Sequence, residues 1–415
     1  MITPSYSATA TERVLPRMAL DFTTASLDSR VTITRALNTA TAVNASGYVA
    51  TVNANLPRFD YDPTTLACKG LLIEESRSNV CIQSADIDNV AWSRAGVGVV
   101  GDTVTSPAGT TTGNTVTCSA GSSVHRVVST AGTVTSGASA THSVFVKAGT
   151  HSFFQIHDGS TGTFYANFNL TTGTVTAVNP VSGATITPYG NGWYKCTLTL
   201  TAGATTSIGA ITIIPDGTSL RNPTWAAAGT ESIYAWGYQI EVGAFATSYI
   251  PTTTTTVTRN ADVVSMTGTN FSDWYSNTRG AFWAAFDVLQ STAPAYIYSA
   301  YSGATGFSDS FIQYVFANTV DSFVYSGGVS QARLLAGTIS ANTSAKSARS
   351  YASANFAIAT NGGDLSTQLS GSLPVGVDRL QIGASPNIGD FLNGHIAKFF
   401  WYTNLTNAEL VAFTK

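Results

Sequence analysis

The sequence predicts an all-β protein in which an extended N-terminal arm is followed by two β-sandwiches and a short C-terminal helix. Apolar and polar residues alternate with a period of two, most clearly over residues 233–241, which is the pattern of a half-buried strand. Turn-forming pairs such as Thr172-Gly173, Asn191-Gly192 and Asp216-Gly217 recur at short intervals. Many short strands joined by such turns are typical of a sandwich or jelly roll.

The composition predicts stable cores that carry few charges. Hydrophobic residues make up 44% of the 415 residues and charged residues only 10%, whereas disordered chains combine low hydrophobicity with high net charge. At ~100–200 residues per domain, this length predicts two or three domains. The net charge of −3, without a cluster of Lys or Arg, excludes a general nucleic-acid binder, which needs a basic stripe.

Shifts in composition divide the chain into four segments. Residues 1–84 carry scattered apolar residues, prolines and arginines with weak strand patterning, and they predict the extended arm. Residues 85–250 form a first β unit, and residues 261–415 form a second. Between them, residues 251–260 begin with Pro251 and five consecutive threonines, which predict a stiff, extended linker.

The clearest helix signal lies at the end of the sequence. Thr406 is a good N-cap, and Glu409 three residues later completes a capping box. A short helix is therefore predicted from about Asn407. No apolar run approaches the ~20 residues of a membrane-spanning helix, so membrane insertion is not predicted. The opening residues lack a basic stretch followed by an apolar one, so no signal peptide is expected.

The four cysteines are too few for a disulfide scaffold and lack the spacing of a metal site. Cys68, Cys81, Cys118 and Cys196 are expected to be small, buried, reduced side chains. If one disulfide forms, Cys118 and Cys196 are the pair we would choose.

Catalytic constellations are scarce, so the chain is not expected to be an enzyme. Glycoside hydrolysis needs two positioned carboxylates, yet Glu409 is the only glutamate of the second β unit and capping accounts for it. The aspartates Asp309 and Asp321 are a weak alternative pair. The nucleophile-elbow and His-Glu-x-x-His motifs are also absent from the sequence.

Aromatic residues are the remaining chemical resource, because sugar rings present apolar C–H faces that stack on Trp and Tyr. In the first β unit, five residues are candidates for binding carbohydrate by stacking or by hydrogen bonds to hydroxyls: Trp193, Tyr194, Trp225, Asp158 and Gln239. Core packing is the competing interpretation for the tryptophans, and most of all for Trp236, which lies on an apolar strand face.

Calcium is the one cofactor that the sequence leaves open. Ca²⁺ needs six to eight oxygen ligands, and the densest oxygen cluster of the first β unit contains Asp86 and Asp88. A solvated turn is the favoured interpretation of these residues. The histidines show no pairing at metal-ligand spacing, so no other cofactor is expected.

Several segments resemble proteins of bacteriophage particles. Residues 20–22, 27–35, 57–63 and 70–79 resemble the opening of many phage tail and virion-appendage proteins. The middle segment is similar to a jelly roll of the carbohydrate-binding-module type, through residues 144–149, 191–196 and 236–251. The last segment resembles a concanavalin-A-like, laminin-G-type sandwich, through residues 361–363, 380–383, 393–398 and 405–410.

This resemblance implies a non-enzymatic appendage on the outer surface of a virion, of the tail-fibre or receptor-binding class, that binds bacterial surface carbohydrate. It also implies attachment to other virion proteins through the N-terminal arm, and a homo-oligomer such as a trimer, although no coiled-coil heptad supports one. Two alternatives stay open: a structural capsid-decoration or tail-assembly protein without a glycan ligand, and a polysaccharide depolymerase.

Overall fold

The computed structural model describes residues 14–37, 39–129, 132–158, 163–179, 183–203, 209–363 and 365–415. Residues 1–13 of the predicted arm lie outside the described residues. Among the described residues, strands far outnumber helices and form the sheets of two sandwiches, which confirms the all-β fold class.

The elements fall into three groups along the chain. The N-terminal segment contains β1 (Met18–Asp21), a 3-10 helix (Phe22–Thr24), β2 (Thr32–Thr34), β3 (Ala40–Val43), β4 (Val49–Val52), β5 (Phe59–Tyr61), β6 (Cys68–Ile73) and β7 (Arg77–Asn79). The middle segment contains β8 (Trp92–Ala95), β9 (Val97–Thr105), β10 (Thr111–Cys118), β11 (Gly121–Ser123), β12 (Arg126–Ser129), β13 (Ser139–Ala148), β14 (Phe153–His157), β15 (Tyr165–Asn169), β16 (Thr174–Asn179), β17 (Ala184–Pro188), β18 (Trp193–Thr201), β19 (Ala210–Ile213), β20 (Trp225–Ala227) and β21 (Ser232–Val242). The last segment contains β22 (Val257–Arg259), β23 (Val263–Thr267), α1 (Thr269–Ser272), β24 (Arg279–Phe286), β25 (Ala295–Ser302), β26 (Gly306–Phe316), β27 (Thr319–Ser326), β28 (Val329–Thr338), β29 (Ala345–Ala352), β30 (Asn355–Thr360), β31 (Ser366–Gln368), β32 (Arg379–Ile382), β33 (Gly394–Tyr402) and α2 (Asn407–Phe413).

The first sandwich consists of two six-stranded antiparallel sheets. One sheet has the order β17-β18-β13-β21-β10-β9, and the other has the order β16-β15-β14-β19-β12-β8. Their inner faces enclose a core that includes Phe154, Phe168 and Ile240. Several neighbouring strands, such as β13 and β21 or β14 and β19, are distant in sequence, so the chain crosses repeatedly between the sheets, as in a jelly roll.

A β-bulge interrupts the simple alternation expected for residues 233–241. The register between β13 and β21 shifts where Ser143 pairs with Gln239 but Phe145 pairs with Trp236. Gly237 lies there with a φ of 66°, in the left-handed region that glycine adopts without strain. As a result Tyr238 packs in the inner core, whereas Trp236 belongs to a separate cluster on the outer face of the same sheet.

The second sandwich pairs an eight-stranded sheet with a seven-stranded sheet. The first has the order β31-β30-β29-β24-β33-β6-β5 with β1 also paired to β33, and the second has the order β2-β23-β32-β25-β26-β27-β28. The core between them is strongly aromatic and includes Phe282, Phe311 and Trp401. The predicted C-terminal helix is confirmed as α2, with Thr406 and Glu409 forming the capping box.

The N-terminal segment differs from the extended arm that the sequence predicts. Strands β1, β5 and β6 complete the eight-stranded sheet, and β2 completes the seven-stranded sheet. Met18, Leu20 and Phe22 are each only 1% exposed inside the second core. The hairpin of β3 and β4 brings Val49 onto the outer face of the first sandwich. These three- to six-residue strands bury their apolar side chains only against distant parts of the chain, so their pattern is weak when the segment is considered alone.

The threonine-rich linker is attached to the rest of the chain at both of its ends. Thr252 is buried, and its N–H donates to Ser84 Oγ at 2.9 Å. Further on, β22 pairs with β7, so the exit from the linker is held in a small two-stranded sheet. The two sandwiches are therefore joined by a fixed connection.

A buried network of ion pairs lies where the N-terminal segment and both sandwiches meet. We call this network the charge hub: Arg35, Arg58, Glu74, Arg259 and Asp262, none more than 2% exposed. Arg58 Nη1 and Arg259 Nη1 each lie 2.7 Å from Glu74 Oε2. Arg35 Nη1 lies 2.8 Å from Asp262 Oδ1, and Arg58 also pairs with Asp262.

The charge hub also reaches the first sandwich. Ser248 donates its N–H to Glu74 Oε1 at 2.8 Å and its hydroxyl to Glu74 Oε2 at 2.7 Å. Although burial acts to raise it, the charges of Arg259 and Arg58 hold the pKa of Glu74 well below its usual value. The Glu74 carboxylate is therefore ionised and compensates two buried guanidinium groups.

A second buried ionic contact makes the stability pH-dependent. His395 lies between two carboxylates, with Nδ1 2.8 Å from Asp287 Oδ1 and Nε2 3.0 Å from Asp60 Oδ2. Burial acts to lower the pKa of His395, but Asp287 and Asp60 raise it to about 9. Because both ring nitrogens face carboxylates, only the doubly protonated ring can donate to both.

We therefore expect stability to fall as pH rises. The folded pKa of about 9 lies above the unfolded value of about 6.5, so the contribution is complete below pH ~6.5 and disappears as pH passes ~9. Urea unfolding of wild type and His395→Gln from pH 6 to 10 measures it. The stability difference between the two proteins should shrink by roughly 3 kcal/mol across this range. Parallel pH profiles would contradict the assignment.

The four cysteines are free thiols, three of them buried. The Cys118–Cys196 disulfide that the sequence left open is not formed. Burial, together with the nearby charge of Glu231, raises the pKa of the Cys118 thiol to about 12. Among the described residues, no helix has the length and apolar character needed to cross a membrane.

Candidate functional site

The outer face of the β16-β15-β14-β19-β12-β8 sheet carries an unusual concentration of polar groups. Along β14, Phe154 and Ile156 point into the core, so Gln155 and His157 point outward. The neighbouring strands place Asn167 and Thr212 on the same outer face. These four polar side chains are fully buried, and residues 214–224 cover Gln155 and Asn167.

The covering segment is held by side-chain amides of the sheet. Gln155 Oε1 accepts from the Asn222 N–H at 2.7 Å, and its Nε2 donates to the Leu220 carbonyl at 3.2 Å. Asn167 Nδ2 donates to the Ser219 carbonyl at 2.7 Å. These bonds fix the backbone on both sides of Arg221, so its side chain extends from a preorganised loop.

Two guanidinium groups lie on this face, one from Arg221 in the covering segment and one from Arg126 on β12. Arg221 Nη2 lies 2.9 Å from Asp158 Oδ1, and the Asp158 side chain is 4% exposed. Arg126 on β12 pairs with Ala95 and Thr212 on the adjacent strands and is half-buried. Among the described residues Arg126 has no carboxylate within ion-pair distance. We call this group the arginine face: Arg126, His157, Asp158, Thr212 and Arg221.

The electrostatics of the arginine face leave a positive excess. Arg126 pairs across the sheet with Thr212, which pairs with Gln155, and Gln155 holds the backbone on both sides of Arg221, so the two arginines lie on the same part of this face. Burial lowers the pKa of Arg126, and the charge of Arg221 lowers it further. Burial, followed by the charges of Arg221 and Arg126, holds the pKa of His157 well below its usual value. His157 is therefore neutral at pH 7, with Nε2 2.9 Å from Thr212 Oγ1. Among the described residues, Asp158 pairs with Arg221, and Arg126 has no carboxylate within ion-pair distance.

Such an arrangement can bind an anion together with hydroxyl groups. A guanidinium presents N–H donors in a planar fork that matches the two oxygens of a carboxylate. Partial burial strengthens such bonds because less water competes for the donors. The ion pair with the buried Asp158 holds the Arg221 guanidinium in place at 2.9 Å.

The structure places the five sequence-predicted binding residues in different parts of the first sandwich. Asp158 belongs to the arginine face, and Trp225 lies four residues beyond Arg221, half-buried and stacked on His151 with ring centroids 6.0 Å apart. Tyr194 is half-buried in contact with the first core. Trp193 is only 2% exposed, and Gln239 only 1%.

Trp193 and Gln239 are structural in this fold. Trp193 packs with Val49 from the β3–β4 hairpin, and its Nε1 donates to the Thr105 carbonyl at 3.1 Å. Gln239 Oε1 accepts from the Ile250 N–H at 2.6 Å, and its Nε2 donates to the Ser248 carbonyl. Neither side chain can reach a ligand without opening the structure.

The weak calcium candidates already have protein partners. Asp86 Oδ2 accepts from Asn89 Nδ2 at 3.1 Å, and Asp88 Oδ1 lies 2.6 Å from Arg94 Nη2. Over the described ranges, no three His, Cys, Asp or Glu side chains converge as a metal site would require. The structure thus adds no support to calcium at this turn.

Both aspartates considered for catalysis, Asp309 and Asp321, already have protein partners. Asp309 accepts from the Gly327 and Val375 N–H groups at 3.1 and 3.0 Å, and thereby fixes two loops. Burial acts to raise the pKa of Asp309, but these backbone hydrogen bonds lower it below its usual value. Asp321 pairs with Arg333 at 2.8 Å.

Sequence reasoning missed Arg126 and Arg221. Neither belongs to a motif, and 63 residues separate Arg221 from Asp158. The available signal was weak: in a chain with only 20 basic residues, Arg126 lies at an outward position of a short strand.

No protein-family model matches the chain, and no curated protein matches it by sequence. Among solved structures, the CBM40 module of a Ruminococcus gnavus IT-sialidase aligns at 20% identity over 34% of this chain and 84% of that chain, with a TM-score of 0.29. Domains LG4-5 of the mouse laminin α1 chain align at 8% identity over 78% and 86%, with a TM-score of 0.22. A Trypanosoma rangeli sialidase aligns at 9% identity over 73% and 60%, with a TM-score of 0.27. None of these likenesses assigns a function to this chain.

Proposed function

We propose that this chain is a non-enzymatic glycan-binding protein that recognises a carboxylate-bearing saccharide of a bacterial surface through the arginine face. The observation that carries the proposal is the pair of half-buried guanidinium groups on this face: Arg221 pairs with Asp158, whereas Arg126, beside a neutral His157, has no carboxylate within ion-pair distance among the described residues. An anionic group on the ligand would balance this local charge.

The charge pattern favours a small acidic group over a nucleic acid. The whole chain has a net charge of −3, so the positive excess is local to this face. Nucleic-acid binding draws on many phosphate contacts spread over a basic surface. A single carboxylate surrounded by hydroxyls needs only one or two arginines with acceptors nearby.

The virion role follows from the resemblance of the sequence to phage appendage proteins. We infer an appendage of the tail-fibre or receptor-binding class on the outer surface of the particle, assembled as a homo-oligomer such as a trimer. The competing structural role, in which an N-terminal arm wraps a virion partner, is less well supported. Strands β1, β2, β5 and β6 are built into the second sandwich and are not free to wrap. Attachment to virion proteins would then use other surfaces.

The proposal predicts that Arg126→Ala weakens cell binding. The labelled full chain would be incubated with encapsulated bacteria whose capsules contain acidic sugars, before and after enzymatic removal of the capsule. We expect binding that is lost with the capsule and reduced at least about 10-fold in Arg126→Ala, because a charge-assisted hydrogen bond contributes about 1.5–3 kcal/mol. Arg279→Ala, an exposed arginine of the second sandwich, is the matched charge control and should bind as wild type.

The same experiment separates the alternatives. Oligosaccharides released into the supernatant would support a depolymerase. Equal binding to intact and stripped cells, or equal binding by wild type and Arg126→Ala, would contradict glycan recognition at the arginine face and favour a structural virion component.

A further inference from the structure

We propose that the outer face of the seven-stranded sheet is a second saccharide-binding site, which takes a neutral pyranose chain. This site belongs to the other sandwich and to a ligand of different charge, so it does not depend on the arginine face. Its elements are strands β26, β27 and β28 with the neighbouring β25.

Strand alternation determines which side chains form this face. Val320 and Val324 of β27 pack into the second core, so Asp321, Phe323 and Tyr325 point to the opposite side. On β26, Phe311 and Val315 point inward and Tyr314 points outward. Cross-strand pairing places Tyr314 beside Asp321, and Tyr296 of β25 beside Tyr314.

The outward rings form one continuous row. Tyr296 and Tyr314 have ring centroids 5.2 Å apart, and Tyr314 and Phe323 lie 6.0 Å apart with planes inclined by 13°. Phe323 and Tyr325 follow at 5.6 Å and 9°. We call these four residues the aromatic row. A linear ligand with repeated apolar C–H faces can contact several of the rings in succession, and each contact adds dispersion energy.

A fixed polar pair lies alongside the aromatic row. Asp321 is nearly buried and accepts from Arg333 Nη2 at 2.8 Å and from the Tyr314 hydroxyl at 3.3 Å. The Arg333 guanidinium lies 5.0 Å from the centroid of the Phe323 ring, which holds the exposed side chain against the sheet. Among the described contacts only Nε and Nη2 of Arg333 are engaged, so Nη1 can donate to a hydroxyl.

The balance of charges beside the aromatic row favours an uncharged ligand. Asp321 and Arg333 neutralise each other, so an ionised ligand finds no unbalanced charge at the aromatic row. Of the three half-exposed rings, those of Tyr314 and Tyr325 carry hydroxyl groups, which suit a ligand rich in hydroxyls better than a purely apolar partner, whereas Tyr296 is 8% exposed and ends the row. A neutral saccharide offers both apolar faces for the rings and hydroxyls for Arg333 and these two tyrosines.

The aromatic row also lacks the cover that the other large sheets have. Helix α2 packs on the eight-stranded sheet, the β3–β4 hairpin packs on one face of the first sandwich, and residues 214–224 cover the other. In the described chain Tyr314, Phe323 and Tyr325 stay half-exposed, and the adjacent Leu335 is 53% exposed. Contiguous exposed apolar surface of this kind marks a binding face.

The test is affinity electrophoresis of the full chain in gels that contain neutral polysaccharides, namely dextran, galactomannan and soluble starch. We expect at least one of them to retard the wild-type chain, with an apparent dissociation constant that rises at least about 10-fold in Tyr325→Ala and in Arg333→Gln. Leu369→Ala, an exposed apolar residue outside the row, is the control for loss of surface area. Arg126→Ala should be retarded as strongly as wild type, which separates this site from the arginine face.

Three outcomes would overturn the proposal. The first is that none of the three polysaccharides retards the wild-type chain, and the second is that Tyr325→Ala and Arg333→Gln are retarded equally with it. The third is a wild-type oligomer that Tyr325→Ala converts to monomers in analytical ultracentrifugation, because the row would then be an interface between copies. Thermal unfolding of each variant verifies folding, and if Tyr325→Ala does not fold, Arg333→Gln decides alone.

Discussion

Replacing Glu74 by glutamine is expected to lower the free energy of unfolding by about 3–5 kcal/mol, because it leaves buried charges without compensation. Glu74 receives Arg58 and Arg259 at 2.7 Å each, and both guanidinium groups are fully buried. Glutamine has the same shape as glutamate but carries no charge, so the two buried guanidinium groups lose the carboxylate that compensates them. Urea unfolding at pH 7 measures the change.

The control for this substitution is Asp273→Asn, which makes the same chemical change at an exposed position. We expect it to alter stability by less than about 0.5 kcal/mol. A Glu74→Gln protein within about 1 kcal/mol of wild type would contradict the importance of the charge hub. The pH dependence has a defined sign: because the pKa of Glu74 is held well below its usual value, its contribution is present above pH ~4.3 and is lost as pH falls below that value.

Phe22→Ala is expected to destabilise the protein by about 3–5 kcal/mol, the usual cost of removing a buried aromatic side chain. Phe22 is 1% exposed and belongs to the core of the second sandwich, although it lies in the segment that the sequence predicts as an arm. An extended arm would tolerate the substitution. Denaturant unfolding distinguishes the two descriptions.

The matched control for this prediction is Phe316→Ala, because Phe316 is 46% exposed at the end of β26. We expect it to cost less than about 1 kcal/mol. A neutral Phe22→Ala would show that the N-terminal segment does not contribute to the second sandwich in solution.

The elements that the sequence predicts best are those whose signals are local. Strand β21 is evident from alternation, and α2 from the pairing of Thr406 with Glu409 three residues later. Both depend on contacts within a few residues of the chain. The β-bulge at Gly237 was not predicted, because a glycine in an alternating strand does not by itself reveal where the register shifts.

The N-terminal strands were missed because their stabilising partners are far away in sequence. Strand β1 pairs with β33 near the other end of the chain, as in the pairing of Met18 with Trp401. A four-residue strand carries too little periodicity to identify its sheet. The same distance explains why the sequence left both sugar stacking and core packing open for Trp193, since the hairpin that buries it comes from residues 40–52.

The candidate sites also depend on contacts between distant parts of the chain, which the sequence alone does not reveal. Asp158 was identified as a polar residue next to a turn, but its partner Arg221 and the neighbouring Arg126 come from other strands and loops. The aromatic row depends on the register of three strands, which places Tyr296, Tyr314 and Phe323 side by side. Residue types alone predicted a carbohydrate-binding chemistry, and only the fold shows which of them share a face.

The rigid connection between the sandwiches has a consequence for binding. The charge hub and the β7–β22 pairing connect the sandwich that carries the arginine face to the sandwich that carries the aromatic row. If both proposed sites engage the same polysaccharide, the second contact occurs within an already bound molecule and raises the overall affinity without new contacts. A heteropolysaccharide with acidic and neutral sugars would then bind more tightly than either component.

The most direct test of glycan recognition compares polygalacturonate, a carboxylated polysaccharide, with its carboxyl-reduced form. Calorimetric titration of the full chain with both, repeated for Arg126→Ala and Arg279→Ala, isolates the role of the ligand carboxylate. We predict that carboxyl reduction and Arg126→Ala each weaken binding at least about 10-fold, that they do not add when combined, and that Arg279→Ala has no effect. Binding that survives carboxyl reduction unchanged, or that Arg126→Ala leaves intact, would contradict the account.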